Sequence, residues 1–146
     1  MSIAFPSQEW CSAYKDAINA NNTYRTAGRS WTFGAVVMIV KAAPELGIAT
    51  DAAMWLDLKD GQCHGCNLVD LAKTQDASFV IVGEYPQWKR VIRGELDPTK
   101  ALMQGQLKLT KGHMPTMVRF VHASKELVVS SARVPTRFPD ENRPDA

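Results

Sequence analysis

With 146 residues, 45% of them apolar and 22% charged, the chain is long enough for one buried core without staples and has the balance of an ordinary water-soluble domain. Its 17 basic and 15 acidic side chains leave a formal charge of +2, too even a balance for a nucleic-acid footprint. The start, MSIAFPSQEW, has no basic residues ahead of a long apolar run, and the stretch from Ala35 to Val40 is far shorter than the ~20 apolar residues that span a bilayer, so neither a secretory signal nor a membrane anchor is expected.

In chain order, Ser7 is a capping residue for a helix that places Trp10, Cys11, Tyr14, Ala17 and Ile18 on one face and ends near Asn21-Asn22. Phe33 to Val40 is almost continuously apolar and β-branched, which predicts a strand buried on both faces, broken by Pro44 and Gly47. From Ala52 to Lys59 the residues alternate, with Met54, Leu56 and Leu58 on one face and Trp55, Asp57 and Lys59 on the other. Asp60-Gly61 then supplies a tight hairpin turn into a second strand, Gln62 to about Leu68. Ala77 to Gly83 contains Phe79-Val80-Ile81-Val82 and reads as another buried strand.

Pro86 opens a short helix with Trp88, Val91 and Ile92 inward and Gly94 as its terminator; Asp97-Pro98 opens another, stopped by Gly105. Gln106 to Thr110 alternates as a short strand, and Pro115 starts a longer helix with Met114, Met117, Val118, Val121 and Val128 on one face. Past Ala132 the prolines and charges predict an extended tail, so residues 1–133 are expected as one domain and 134–146 as the tail. Strands and helices do not alternate strictly, which favours an α+β fold, a largely antiparallel sheet with helices on one face, over a doubly wound parallel one.

Motifs that carry chemistry are few. Cys63-His64-Gly65-Cys66 has the spacing of a metal or redox pair, but Cys11 is the one remaining cysteine, and His113 and His122 are not spaced as a second ligand pair. An extended segment also sends Cys63 and Cys66 to opposite faces, so they are read as ordinary strand residues. The odd cysteine count, in a chain that needs no disulfide, fits a reducing, cytoplasmic setting. There is no Gly-x-Ser-x-Gly elbow, His-Glu-x-x-His helix or Gly-rich phosphate loop, and Glu95 and Asp97 are explained by solvation and helix capping. The expectation is therefore no catalytic residue, no metal and no cofactor. Lys89, Arg90, Arg93, Lys100, Lys108 and Lys111 form a basic stretch that could meet anionic headgroups or acyl-coenzyme A phosphates, but they are read first as a solvated face, the usual fate of such charges.

The segment FVIVGEYPQWKRVIRGELDPTKALMQGQLKLTKG, Phe79 to Gly112, resembles the second half of the sterol-carrier-protein lipid-transfer domain. The likeness lies in an apolar strand, a short helix, the turn Gly94-Glu95-Leu96-Asp97-Pro98, a helix carrying Ala101 and Met103, and a strand with Gly105, Leu107, Lys108 and Leu109. Trp55-Leu56-Asp57-Leu58-Lys59-Asp60-Gly61 resembles an earlier strand and turn of the same family, so the match runs from about residue 51 to 130. Gln106 stands where relatives usually carry Lys, Thr110-Lys111-Gly112-His113 replaces a shorter turn, and the ending Pro144-Asp145-Ala146 gives no support for a peroxisomal address.

The resemblance implies a five-stranded, mainly antiparallel sheet covered by helices, with an apolar tunnel for a fatty acid, acyl-coenzyme A, phospholipid or sterol. Phe79, Ile81, Trp88, Ile92, Leu102, Met103, Met117 and Val121 are the expected wall residues. The partners expected are that lipid or acyl-coenzyme A and a transient membrane-surface contact, with no nucleic acid. Two other functions fit the same residues: an enzyme acting on acyl thioesters, and a structural or dimerisation module with a filled core.

Overall fold

The computed structural model describes residues 2–141. Its strands are β1 (Ile3–Ala4), β2 (Val36–Lys41), β3 (Ala52–Lys59), β4 (Gln62–Val69), β5 (Phe79–Glu84), β6 (Leu107–Lys111) and β7 (Thr136–Arg137). Its helices are α1 (Gln8–Asn19), α2 (Asn22–Ala27), α3 (Tyr85–Ile92), α4 (Pro98–Met103), α5 (Met114–Arg119) and α6 (Val121–Ala132).

Five strands form one sheet in the order β4-β3-β2-β5-β6, antiparallel except for the central β2–β5 pair, so the fold is α+β with a mainly antiparallel sheet. The β3–β4 hairpin turns through Asp60 and Gly61, whose φ angles of 54° and 80° are those of a two-residue turn that follows the strands' own twist. Gly61 is needed twice over, because a Cβ there would also stand 2.2 Å from the Arg25 carbonyl oxygen at the end of α2.

The alternation read in β3 sets the main core. Met54, Leu56 and Leu58 are buried on the face that meets the helices, together with Val36, Val40, Phe79 and Ile81 from the neighbouring strands. The opposite face carries Val37, Ile39, Ala53 and Val80 in a smaller cluster with Ala77, and residues 71–76 fold over it with Lys73 Nζ 5.4 Å from the Trp55 ring. A strand with apolar groups on both faces belongs in such a position, which is why β2 lies mid-sheet. Phe33, expected inside that strand, lies before it and is 38% exposed.

The helices roof the main core. Ser7 caps α1 by accepting from the Trp10 N–H at 3.0 Å, and α1 then runs beside the edge strand β4. Asn19 exchanges hydrogen bonds with the N–H and C=O of Cys63, and Gln8 does the same with the Cys66 C=O and Leu68 N–H, so this sheet edge is covered. Asn21 caps a second short helix, α2, where the sequence suggested only an ending. Asp97 caps α4, and Gly94 and Gly105 follow α3 and α4 at positive φ.

Three expectations need correction. The last helix is two helices: the backbone breaks at Phe120, with φ −99° and ψ 34°, because the ring packs into an aromatic cluster with Trp31 and Phe33. Its supposed single face is therefore split, leaving Val118 40% exposed and Val121 half-buried, whereas Met117 is buried. The region after Ala132 is not a loose extension: β7 pairs in parallel with β1, and Val134 and Phe138 are buried. Tyr85 donates to Asp140 at 2.5 Å, and Lys89 pairs with Asp140 and Glu141, which pins this segment on α3. Residues 142–146 of the expected tail lie outside those described.

The third correction concerns the cysteines. β4 carries a bulge in which Leu58 faces Cys63 and Asp57 faces Gly65, so His64 is an extra residue. The shift brings Cys63 and Cys66 to the same, inner face, where both are buried beside Cys11. All three are free thiols. Among the described residues no three or more His, Cys, Asp or Glu side chains are arranged to hold a metal ion. None of the described helices is long and apolar enough to cross a membrane.

Candidate functional site: an apolar cavity between sheet and helices

The main core is not completely filled. A cavity of about 80 Å³ lies between the inner face of the sheet and the helices. Its floor is Val36, Met38, Met54, Leu56, Leu58 and Ile81, the inward residues of β2, β3 and β5. Trp10 and Tyr14 of α1, Trp88 and Ile92 of α3, and Leu102 of α4 form the walls, and Met117, Ala123, Leu127 and Val128 close it from the side of α5 and α6.

The large rings are held in place by their polar edges. Trp88 Nε1 donates to the Ile39 carbonyl at 2.9 Å, and Trp10 Nε1 donates to Thr136 Oγ1 at 2.9 Å. Gly83 makes the Trp88 position possible, since a Cβ there would stand 2.3 Å from Leu107 Cδ2 and 3.0 Å from the indole nitrogen. The Tyr14 hydroxyl donates to the Leu127 carbonyl at 3.0 Å and so ties α1 to α6. Ser131 donates to the Val128 carbonyl at 2.7 Å, which occupies its hydroxyl hydrogen.

Wall chemistry is almost wholly apolar. Its polar groups are hydroxyls and indole N–H groups, and among the described residues no His, Asp, Glu, Lys, Arg or Cys lines the cavity. Burial raises the Tyr14 and Tyr24 phenols well above their ordinary range, so both remain neutral donors. The cysteines beside α1 are just as inert: burial pushes the Cys63 thiol up to about 11, and hydrogen bonding to Cys11 together with burial raises Cys66 further.

Of the wall residues expected from sequence, Ile81, Trp88, Ile92, Leu102 and Met117 line the cavity. Phe79, Met103 and Val121 do not. Phe79 is buried against Trp31 at 5.1 Å between ring centroids and beneath Gly112, while Met103 points away from the core and is 69% exposed. The β-strand floor at Met54, Leu56 and Leu58 was visible in the alternation, although nothing in it separated cavity lining from dry core. Trp31 and Phe120 carried no periodic signal, because they come from a loop and from the joint between two helices.

Residues 22–123 match the SCP-2 sterol transfer family. A crystal structure of sterol carrier protein 2 is 32% identical, covers 88% of this chain and 97% of that chain, and superimposes with a TM-score of 0.80. A solution structure of a conserved hypothetical protein from Thermus thermophilus is 31% identical over 93% of this chain and 92% of that chain, again with a TM-score of 0.80. The apo form of sterol carrier protein 2 from Yarrowia lipolytica, 14% identical over 84% of this chain and 88% of that chain, shares the fold with a TM-score of 0.55. No curated protein sequence matches the chain.

Proposed function

The chain belongs to the SCP-2 sterol transfer family, and we propose that it is a non-catalytic carrier that shelters the aliphatic part of a lipid in the cavity between its sheet and helices. The single observation that carries this reading is an interior space at the centre of the main core whose wall, among the described residues, has no ionisable group other than two neutral phenols. Ligand pockets for apolar molecules are built in this way, with affinity from burial and few polar anchors. Each methylene buried contributes about 0.8 kcal/mol, so a long chain can bind without a strong polar contact.

A fatty acid, acyl-coenzyme A, phospholipid or sterol would each satisfy this chemistry, with Ile81, Trp88, Ile92, Leu102 and Met117 as contacts. Transfer between membranes, through transient contact with their surfaces, is part of the same proposal, as is a cytoplasmic setting, which the free thiols support. Pockets that hold whole ligands occupy roughly 300–1,000 Å³. The cavity of about 80 Å³ must therefore widen as a chain enters. The roof of short, separate helices is suited to that movement, because each can shift without breaking the sheet's hydrogen bonds.

The small volume also favours a second reading, a structural module whose core is simply near closure. Native mass spectrometry of the purified protein, followed by solvent extraction and displacement of a bound fluorescent fatty acid, separates the two. The carrier reading expects co-purifying lipid and displaceable binding. It also expects Ala123→Leu, which intrudes on the cavity, to weaken that binding at least about tenfold while costing about 1–3 kcal/mol of unfolding free energy, so that the variant remains folded. Absence of both lipid and displaceable binding establishes the structural module instead.

A further inference from the structure

Outside the cavity a second, open groove of about 630 Å³ lies between the α3–α4 turn and α6. It shares two wall residues with the cavity, Pro98 at the start of α4 and Val128 on α6, so these side chains stand between the apolar interior and the surface. The groove floor near them is apolar, with Leu96, Val129 and Ala132. Its rim carries the exposed cations Lys100, Lys125 and Arg133.

Charges of both signs meet there, and their pairings decide the balance. Glu95 and Asp97 also line the groove, but Glu95 is paired with Arg93 at 3.1 Å and Asp97 accepts the Thr99 N–H at 2.9 Å as the cap of α4. Lys100, Lys125 and Arg133 have no ion-pair partner among the described residues. The basic stretch seen in the sequence is thus divided by the fold. Lys89 and Arg93 face Glu141 and are spent on holding the C-terminal segment, whereas Lys100 joins Lys125 and Arg133 from a helix far along the chain.

We propose that this groove is the mouth of the cavity and that Lys100, Lys125 and Arg133 receive the anionic end, carboxylate or phosphate, of a lipid whose aliphatic chain passes between Pro98 and Val128. The inference rests on the carrier reading and adds to it a polar subsite and a direction for the ligand. Long basic side chains suit the task, since their stems cover the apolar rim while their charged heads stay in water. The attraction is between solvated charges and is screened by salt.

The test compares ionised oleate, oleoyl lysophosphatidate and uncharged oleyl alcohol, binding each to the native chain and to the triple variant K100Q/K125Q/R133Q. The expected result is a loss of about tenfold in affinity for the anions, about 1.4 kcal/mol, with the alcohol unchanged. In the native chain, raising salt from 20 mM to 500 mM should weaken the anions and leave the alcohol alone, a result that needs no variant. Loss confined to oleate identifies a carboxylate site, and loss confined to lysophosphatidate a phosphate site. Anion affinity that is indifferent both to salt and to the three substitutions overturns the groove while the carrier reading stands. If native protein binds none of the three ligands, the carrier reading falls and the groove assignment falls with it.

Discussion

Trp31 and Phe120 meet edge to face, with ring centroids 5.1 Å apart and planes at 84°, and both line the cavity. They also meet the exposed Phe33, at 5.2 and 5.7 Å, so one aromatic cluster reaches from the interior to the surface at the break between α5 and α6. Arg119 lies 5.4 Å from the centroids of both Phe33 and Phe120. This side of the cavity is thus closed by ring packing across a helix joint.

Removing one ring should loosen that side. Phe120→Ala is expected to cost about 2 kcal/mol of stability, below the range for a fully buried ring because Phe120 is half-buried. Stopped-flow displacement of a fluorescent fatty acid should show release at least about tenfold faster, since changes in affinity fall mostly on the off-rate. An unchanged release rate in folded protein would show that this side of the cavity does not control the ligand.

Two glycines of similar φ should respond unequally to alanine. Gly94, at φ 78°, has nothing within 4 Å of an added Cβ, so Gly94→Ala carries only the left-handed backbone cost of about 1–2 kcal/mol. Gly61→Ala adds a contact of 2.2 Å with the Arg25 carbonyl oxygen and should lose more than about 3 kcal/mol as α2 is displaced. Urea unfolding of the two variants checks this; equal losses would mean that the close approach of α2 is relieved at no cost.

The buried thiols predict a pH dependence with a definite sign. Below the ordinary thiol value of about 8.5, folded and unfolded chains both keep the proton and stability is full. Above it the unfolded chain ionises first, while folded Cys63 keeps its proton up to about 11 and Cys66 beyond, so stability falls as pH rises through this window. The urea midpoint should therefore be lower at pH 9.5 than at pH 7.5, and Cys66→Ala should flatten the decline. At pH 8 an aromatic disulfide reagent should label the native protein slowly and all three cysteines at once in denaturant; a fast native phase would contradict the burial.

The C-terminal segment should matter through packing more than through charge. Phe138 is buried with its ring 6.1 Å from Phe5 and 5.3 Å from Lys89 Nζ, and Phe138→Ala should cost about 3–5 kcal/mol. Glu141, half-exposed in its pairs with Lys89 and Arg93, should cost less than about 1 kcal/mol when changed to Gln. Thermal unfolding distinguishes these; a negligible effect at Phe138 would mean that the segment is not part of the cooperative core.

Local chemistry determined much of this fold by itself. Alternation and the Asp60-Gly61 turn specified β3, β4 and the face they bury, because a strand's period of two and a turn's backbone demands are properties of neighbouring residues. Ser7 and Asp97 likewise marked helix starts, since a cap needs only the next three residues. The ordered motifs from Trp55 to Lys108 carried the family resemblance. Only the tertiary structure decided the rest. The bulge at His64 turned Cys66 inward, Trp31 and Phe33 broke the last helix at Phe120, and Thr136 and Phe138 found partners at Trp10 and Phe5 across most of the chain. The cavity belongs to this second class: its wall draws on every helix and three strands, and whether an apolar side chain meets a neighbour or an empty volume depends on how whole elements settle against one another.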